Sequence, residues 1–364
     1  MFFRRSIINS IPDRPKRILL IRLGSVCEVL RGIPLLVALR MRFPHAEIAW
    51  LVEAQAASFL CGHRALDRIV IAPQNWNHSW EDARFLRNRL KKFQPEIVID
   101  MQSGFRSSFS AWSSDAKYRI GFAKSEHSIG SCLLNNICVP ATEEHEIDRN
   151  LQLLEPLGVH GCSVAFDLDE NGRDRFRARE ILGSVGLRHN FAILSVVADS
   201  HAFRWKDERF AELAKYLQEQ WNLPSLVVWN GQEERKIADS IAQKSENTAT
   251  VAPWTSPAEL ASIIRQATIL VGPEGGPLGI SSAVGTHCIG LFGATSAAKT
   301  GPYGLQNRSI QAISTRNAPT NPMDAIEIGI VCEVCDTLLT EILEPTKESI
   351  LEFKKPPIVI TKAA

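Results

Sequence analysis

The segment RLGSVCEVLRGIP, residues 22–34, places a carboxylate just beyond a short glycine-containing turn. Gly24 and Ser25 allow a tight turn from strand to helix, whose backbone N–H groups can approach an anion. Glu28 falls in the first turn of the following helix, where the helix dipole favours an ionised carboxylate. Such a group can serve as a general base at a cleft or simply stabilise the helix, and the residues alone leave both open. The segment lacks the G-x-G-x-x-G spacing, which counts against a dinucleotide-dependent enzyme.

The second half of the chain has four polar or glycine-rich segments that directly follow predicted strands. In the first, Arg204 and Lys206 flank a tryptophan and could neutralise a diphosphate. In the second, WNGQEER, Glu234 could accept hydrogen bonds from ribose hydroxyls. The third, LVGPEGGPLGISS at 270–282, is either a tight turn or a nucleotide-sugar pocket, and the fourth is LFGATSAAKTGPYG at 291–304. Four such strand ends in one sheet indicate a ligand site more strongly than any one alone.

Polar residues also follow a strand of the first half, in the segment DMQSGFRSS, and they are Asp100, Gln102, Ser103 and Arg106. This cluster is equally compatible with a ligand contact and with an ordinary loop. Further along, His145 and Asp148 lie three positions apart on a predicted helix. Two residues do not make a metal site, so a surface pair is expected there.

The eight cysteines are scattered through a chain that is large enough to fold without disulfides, which favours a reducing compartment. Cys332 and Cys335 form a C-x-x-C pair, but apolar residues recur around them at helical spacing and no second cysteine pair follows. We therefore expect structural cysteines within a helix, and no metal site.

Composition narrows the class of protein further. The 364 residues carry 41 Lys+Arg against 40 Asp+Glu, and this net charge of +1 gives no reason to expect a nucleic-acid partner. The first 22 residues hold six Lys/Arg and one Asp among apolar residues, so they are either a loosely packed leader or a segment that rests on an anionic membrane surface. Neither a signal peptide nor a membrane-spanning run is expected.

Short apolar runs alternate with amphipathic stretches along the chain, which predicts two α/β domains with parallel sheets. In the first half, strands are expected at 17–24, 47–53, 67–72, 96–102 and 118–122, with helices at 34–43 and 84–93. In the second half, strands are expected at 191–198, 225–231, 248–253, 267–274 and 287–295, with helices at 206–221, 233–244 and 256–267. Ser256, Pro257 and Glu259 form a predicted capping box at the start of the last helix.

These elements predict a basic leader (1–16), two Rossmann-like domains (17–170 and 171–322), and a terminal helix with a free tail (323–364). A polar strand and a helix, 161–186, are expected to lead into the second half. Two doubly wound domains facing each other would place a ligand crevice at the carboxyl ends of both sheets.

Several segments, in this order, resemble the lipopolysaccharide heptosyltransferase-like glycosyltransferases (glycosyltransferase family 9). They are the opening strand, turn and helix, DMQSGFRSS, YRIGF, HEIDRNLQLLEPLG, FRWKDERFAEL and the stretch from ILVGPEGG to GPYG. The resemblance runs from about residue 17 to 340. It implies a GT-B fold and an inverting, metal-independent transfer from a nucleotide sugar, usually ADP-heptose, that is bound by the C-terminal domain.

The resemblance also implies roles for individual residues. The family's aspartate base falls on Glu28, a carboxylate one methylene longer, and no cofactor or metal is expected. The donor nucleotide sugar would contact Arg204, Lys206, Glu234, Glu274, Gly275, Gly276, Pro277 and Leu278. The acceptor would contact Ser25, Arg31, Gln102 and Arg106. The chain departs further from the family pattern, because Phe203 replaces a lysine, Gly279 a histidine and Cys27 a glycine, and the acid of the donor loop falls on Glu274.

The leading hypothesis is a cytoplasmic glycosyltransferase that acts on a lipopolysaccharide core or another lipid-linked or surface glycan at the inner membrane, where it is peripheral. The basic helix at 84–93 would favour an anionic acceptor. Phe203 and Gly279 motivate an alternative, a catalytically impaired relative that binds a nucleotide sugar or glycan without transfer. A third hypothesis is a nucleotide-sugar epimerase with the same two-domain layout.

Overall fold

A computed structural model of the chain describes residues 10–74, 76, 78–123, 131–198, 203–313, 321–343 and 357–362. The chain divides into two compact units, Met1–Asp167 and Leu168–Ala364. Most of the predicted basic leader, residues 1–9, lies outside the described residues. Within the described residues, no helix is long and apolar enough to cross a membrane.

The first unit is built on a six-stranded parallel sheet in the order β3-β2-β1-β4-β5-β6. Its strands are β1 (Arg17–Ile21), β2 (Glu47–Val52), β3 (Arg68–Ile71), β4 (Ile97–Asp100), β5 (Tyr118–Phe122) and β6 (Ile137–Val139). The five strands predicted for this half are confirmed, and β6 was not predicted. The central strand β1 is apolar from Ile18 to Ile21 and fully buried there, as expected for a parallel strand covered on both faces.

The helices of this unit connect successive parallel strands or follow them. They are α1 (Val26–Leu30), α2 (Ile33–Arg42), α3 (Ala54–Ala57), α4 (Trp80–Phe93), α5 (Phe105–Ser113), α6 (Ser131–Leu134) and α7 (Glu146–Gln152). Both helices predicted for this half, 34–43 and 84–93, are confirmed as α2 and α4. A 3₁₀ turn at Glu155–Leu157 follows α7.

The second unit has a seven-stranded parallel sheet in the order β13-β12-β11-β10-β7-β8-β9. Its strands are β7 (Ala192–Ser195), β8 (Ser225–Val228), β9 (Ala249–Val251), β10 (Ile269–Pro273), β11 (Cys288–Phe292), β12 (Arg308–Ile313) and β13 (Ile358–Lys362). The five strands predicted for this half are confirmed. Both units therefore have the strand order of a Rossmann fold, and the second adds β13 at one edge.

The helices of the second unit are α8 (Gly172–Ser184), α9 (Asp207–Trp221), α10 (Gln232–Lys244), α11 (Pro257–Ile264), α12 (Gly276–Val284), α13 (Ala297–Thr300) and α14 (Ile328–Leu343). The predicted capping box is confirmed at α11, where the Ser256 hydroxyl accepts from the Glu259 N–H and the Glu259 carboxylate accepts from the Ser256 N–H. The stretch 161–186 contains α8 but no strand among its residues, so the strand predicted there is wrong.

The terminal segment is not a free tail where the structure describes it. Residues Ile358–Lys362 pair in parallel with β12 from Ser309 to Ile313, and Val359 packs against the core of the second unit. Two prolines precede this apolar run, which is compatible with an edge strand. The predicted free tail is therefore wrong for Ile358–Lys362.

The cysteines only partly follow the prediction. Cys132 and Cys138 form a disulfide, so the expectation of an entirely reduced set is wrong at this pair. Cys332 and Cys335 are buried in α14, where burial raises the pKa of both thiols, to about 11 for Cys332. These two cysteines are structural, as expected.

We predict that Val359→Asp lowers the free energy of unfolding by about 1–3 kcal/mol, because it places an unpaired charge against the core. Urea denaturation measures the change. Ile360 is 61% exposed and serves as the matched control, since Ile360→Asp should change stability by less than about 0.5 kcal/mol. Equal effects of the two substitutions would contradict the placement of this segment in the sheet.

Candidate active site

Each sheet has a point where the strand order reverses, between β1 and β4 in the first unit and between β7 and β10 in the second. Ligands of doubly wound folds bind outside the carboxyl ends of the strands at this point. In the first unit, Ile21 at the end of β1 is in register with Asp100 at the end of β4. The loops that carry Glu28 and Gln102 therefore begin side by side.

Glu28 is held at the start of α1 by a capping box. Its Oε2 atom accepts a hydrogen bond from the Ser25 N–H at 2.8 Å, and its own N–H donates to the Ser25 hydroxyl at 3.4 Å. A Cβ atom at position 24 would overlap the Glu28 carboxylate, so Gly24 is required for this arrangement. The Glu28 side chain is 31% exposed, which leaves its oriented carboxylate accessible to a bound hydroxyl group.

Arg22 connects Glu28 to the interior of the unit. This buried guanidinium donates from Nη2 to Glu28 Oε1 at 3.1 Å and from Nη1 to the Met101 carbonyl oxygen at 2.9 Å. It also forms an ion pair with Glu146, which pairs with Arg31 through its other oxygen. Two arginines and two glutamates therefore form one continuous network.

Burial disfavours the charged form of Glu146, yet the positive charges of Arg22, Arg31 and Arg149 outweigh it and lower the pKa of this carboxyl to about 2. Glu146 is therefore an anion at neutral pH. It neutralises part of the charge of Arg22 and Arg31, and it fixes α7 against the loop that carries Glu28.

The sequence analysis missed Arg22 and Glu146 as site residues. In the segment HEIDRN it singled out His145 and Asp148 as a surface pair, and this prediction is wrong for His145. That residue is 2% exposed and caps α7, with its ring nitrogen accepting from the Ile147 N–H at 3.2 Å. A charged residue directly after a buried strand, as in Arg22, was the signal that could have been used.

The residues predicted to bind the acceptor are only partly brought together. Ser25 and Arg31 belong to the Glu28 network, and Gln102 accepts from the Leu23 N–H at 3.2 Å, next to Arg22. Arg106 instead pairs with Glu53 at 3.4 Å, and its guanidinium lies over the Trp76 ring, 5.3 Å from the centroid.

Asp100 organises the neighbouring loop from inside the unit. It is fully buried and accepts hydrogen bonds from the Ser108 hydroxyl at 2.7 Å, the Asn135 amide at 3.0 Å and the Ser103 N–H at 2.8 Å. Burial raises its pKa, although these hydrogen bonds act in the opposite direction. Asp100 is thus a structural residue that fixes the start of α5.

In the second unit, the stretch LVGPEGGPLGISS forms the end of β10 and most of α12. Glu274 is 7% exposed, and Pro277 and Leu278 lie buried in the first turn of the helix. A Cβ atom on Gly275 would overlap the carbonyl of Val197, so a glycine is needed where this turn passes the end of β7. Beside Gly276, by contrast, there is open space.

The N-cap of α12 is Gly275, which has no side chain that could bind the first-turn N–H groups. Its first-turn N–H groups are directed to the carboxyl end of the sheet, where the positive end of the helix dipole favours an anion. The stretch therefore forms a tight turn from strand to helix, and the nucleotide-sugar pocket stays a prediction.

The predicted cations of the donor site each have a carboxylate partner. Arg204 donates to Glu234 at 3.1 Å, so two predicted donor contacts lie together. Lys206 is half exposed and pairs with Asp324 at 3.3 Å. Phe203 is half-buried, as is Gly279 within α12. Within the part of the chain that the structure describes, no group of three or more His, Cys, Asp or Glu side chains is arranged to hold a metal ion.

Residues 83–327 match the sequence profile of glycosyltransferase family 9 (heptosyltransferase). The chain belongs to this family. It is 23% identical over 294 residues to the lipopolysaccharide core heptosyltransferase OpsX of Haemophilus influenzae, covering 80% of this chain and 83% of the relative.

Solved structures of family 9 proteins share the fold. The glycosyl transferase family 9 protein of Veillonella parvula matches with a TM-score of 0.78 and 19% identity, over 92% of this chain and 99% of that one. The heptosyltransferase WaaC of E. coli with ADP-2-deoxy-2-fluoro heptose matches with a TM-score of 0.70 and 18% identity, over 88% and 99%. The predicted GT-B fold of two Rossmann-like domains is confirmed.

As a member of family 9, the chain is a glycosyltransferase, and this confirms the enzyme class expected from the sequence. The family assignment decides against the epimerase hypothesis. The catalytically impaired alternative finds no support, because the curated relatives are named as heptosyltransferases.

We predict that Glu146→Gln lowers the free energy of unfolding at neutral pH by about 3 kcal/mol, because Glu28 alone then faces the charges of Arg22 and Arg31. The carboxyl has a lowered pKa in the folded state, so its contribution is complete above its ordinary value of 4.5 and disappears as the pH falls towards about 2. Urea denaturation of both proteins across this pH range should show the difference shrinking.

The exposed Glu144 provides the control, since Glu144→Gln should change stability by less than about 0.5 kcal/mol at every pH. A Glu146→Gln difference that stays constant with pH would show that the charge of this residue does not stabilise the fold.

Proposed function

We propose that this chain is an inverting, metal-independent heptosyltransferase that moves heptose from ADP-heptose to a lipopolysaccharide core acceptor. The family assignment and the relative named lipopolysaccharide core heptosyltransferase support the reaction class. A family 9 neighbour has been solved with a fluorinated ADP-heptose, which supports the choice of donor.

The observation that carries the proposal is the geometry of Glu28. Its carboxylate is fixed at the carboxyl end of β1 by Arg22 and the Ser25 N–H, and it stays partly exposed. In the proposed step, the acceptor oxygen attacks the anomeric carbon of the donor and gives its proton to Glu28. The bond from the anomeric carbon to the diphosphate oxygen breaks, ADP leaves with the electron pair, and the anomeric configuration is inverted.

The donor is assigned to the second unit. The N-terminus of α12 would face the diphosphate, and Gly276 would let it approach the backbone closely. Arg204 and Lys206 would offset the charge that develops on the leaving ADP. Glu234, which already accepts from Arg204, would also accept from the ribose hydroxyls.

The acceptor is assigned to the first unit, with Ser25, Arg31, Gln102 and Arg106 as its contacts. A lipid-linked acceptor made at the inner membrane implies a cytoplasmic enzyme that associates with the membrane surface. The many Lys and Arg residues of α4 are suited to the phosphates of such an acceptor.

We predict that Glu28→Gln lowers the rate of heptose transfer by about 10²–10⁴-fold, because the amide keeps the shape of the side chain but cannot take the proton. Transfer from ADP-heptose to a purified heptose-free core acceptor measures the rate, and calorimetric titration with ADP measures nucleotide binding, which should be unchanged.

Glu47 is a matched control, because its side chain is 34% exposed and it lies in an ion pair with Arg68 at the opposite, amino end of β2. Glu47→Gln should leave the transfer rate within about twofold of the parent protein. An unaltered rate in Glu28→Gln would remove this residue from the mechanism.

We further predict that Gly276→Ala weakens ADP binding by about tenfold or more, because its methyl group would enter the space assigned to the diphosphate. Stability should stay within about 1 kcal/mol, since the added methyl meets no protein atom. Gly275→Ala, which would overlap Val197, should instead destabilise the fold by about 2 kcal/mol or more. Unchanged ADP affinity in a folded Gly276→Ala protein would place the diphosphate elsewhere.

A further inference from the structure

Helix α5 has the reverse of the usual amphipathic pattern. Its buried residues are Ser107, Ser108, Ser110, Ala111 and Ser113. Its exposed side carries Phe105, Phe109 and Trp112, with 73%, 37% and 47% of their surfaces accessible. We call these three residues the aromatic face. A helix at the surface of a domain normally turns its aromatic residues inward, so this orientation indicates an interaction surface.

The orientation is fixed by hydrogen bonds on the buried side of the helix. The Ser108 hydroxyl donates to Asp100 at 2.7 Å and accepts from the Asn135 side-chain amide at 3.2 Å. Rotating α5 to bury its aromatic residues would break these bonds and leave the carboxylate of Asp100 without the Ser108 hydroxyl. The contacts of Ser108 therefore keep the aromatic residues on the outward side of the helix.

The aromatic face is continuous. Its members are spaced by four and then three positions along the helix, so they lie on one side. The Phe105 and Phe109 rings are stacked with centroids 6.2 Å apart, and the Phe109 and Trp112 centroids are 5.7 Å apart. This ridge is preformed, and little side-chain freedom would be lost when it enters an apolar medium.

The helices packed against α5 add positive charge and more apolar surface. Helix α4 contacts α5 and carries five Lys or Arg residues, of which Arg84, Arg87, Arg89 and Lys92 are exposed. Helix α4 also exposes Trp80 and Phe85, and α6, which packs on α5, exposes Leu133 at 89%. Aromatic residues beside basic ones are typical of surfaces that enter the interface of an anionic membrane.

We propose that the aromatic face of α5, together with the basic residues of α4, docks this enzyme on an anionic phospholipid bilayer. The choice of a lipid bilayer as the partner rests on the proposed function. Helix α5 begins at the carboxyl end of β4, which is the edge of the sheet that we assign to a lipid-linked acceptor. The positive charge of α4 argues against a second copy of the chain, because a symmetric dimer would bring two identical basic surfaces together and they would repel each other.

The test is sedimentation of the full-length protein with vesicles of phosphatidylglycerol and phosphatidylcholine in equal parts, and with phosphatidylcholine alone. The parent protein should bind the anionic vesicles more tightly, and added salt should weaken this binding. Phe105→Ser combined with Trp112→Ser should reduce binding by about tenfold or more, because two exposed rings no longer enter the bilayer. Phe109 is not substituted, because it is the least exposed of the three aromatic residues and its replacement could destabilise the fold.

The second unit offers a matched control in Phe176 and Trp254, which are 62% and 70% exposed. Phe176→Ser combined with Trp254→Ser should bind vesicles like the parent protein, and thermal unfolding checks that both double variants are folded. Arg87→Glu combined with Lys92→Glu should lose the preference for anionic vesicles while keeping the aromatic face.

The proposal is overturned if the parent protein binds neither kind of vesicle. It is also overturned if the Phe105→Ser, Trp112→Ser protein binds the anionic vesicles as tightly as the parent protein does. It is also overturned if light scattering shows a dimer that only this variant dissociates, since that result assigns the face to a second copy. Titration with ADP, which involves no lipid, reports separately on the proposed donor site, so failure of one proposal is distinguishable from failure of the other.

Discussion

The first unit is organised around one buried positive charge. Arg22 directly follows the central strand β1, and its guanidinium must be compensated where it lies, because an unpaired charge in the interior is strongly unfavourable. Glu28, Glu146 and the Met101 carbonyl supply that compensation from three separate segments. The same contacts fix α1, the loop after β4 and α7 around a single point. The candidate base is thus positioned by a network whose centre, Arg22 and Glu146, is buried.

In the second unit, the reversal point of the sheet is arranged by backbone contacts and not by a buried charge. At the reversal point of its sheet, Gly275 lets the end of β10 pass directly beside the carbonyl of Val197 at the end of β7. Helix α12 then starts at Gly275, an N-cap residue that has no side chain to bind the first-turn N–H groups. An uncapped N-terminus leaves N–H groups for a ligand, and an anionic ligand benefits from the helix dipole as well. The proposed base thus depends on an oriented carboxylate in the first unit, and the proposed diphosphate site depends on backbone N–H groups in the second unit.

The sequence predicted the features that depend on local pattern. Apolar runs located the strands, the Ser256 capping box was correct, and the strand-to-helix turn located Glu28. Features that depend on distant pairing were missed. Arg22 and Glu146 are 124 positions apart, and nothing near either residue specifies the other. Strand β13 was missed for the same reason, because its apolar run has a partner only once β12 is already in the sheet.

Helix α5 shows how a conflict between local and tertiary preferences can indicate function. Its aromatic residues would gain free energy by burial, yet the polar side of the helix occupies the interior because Asp100 needs the Ser108 hydroxyl there. Asp100 also accepts from the N–H groups of Gln102 and Ser103, in the loop beside the Glu28 network. One buried carboxylate thus sets both the conformation of a predicted acceptor loop and the outward direction of the aromatic face. A contact made by that face is therefore rigidly connected to the loop, as the proposed transfer to a lipid-linked acceptor would require.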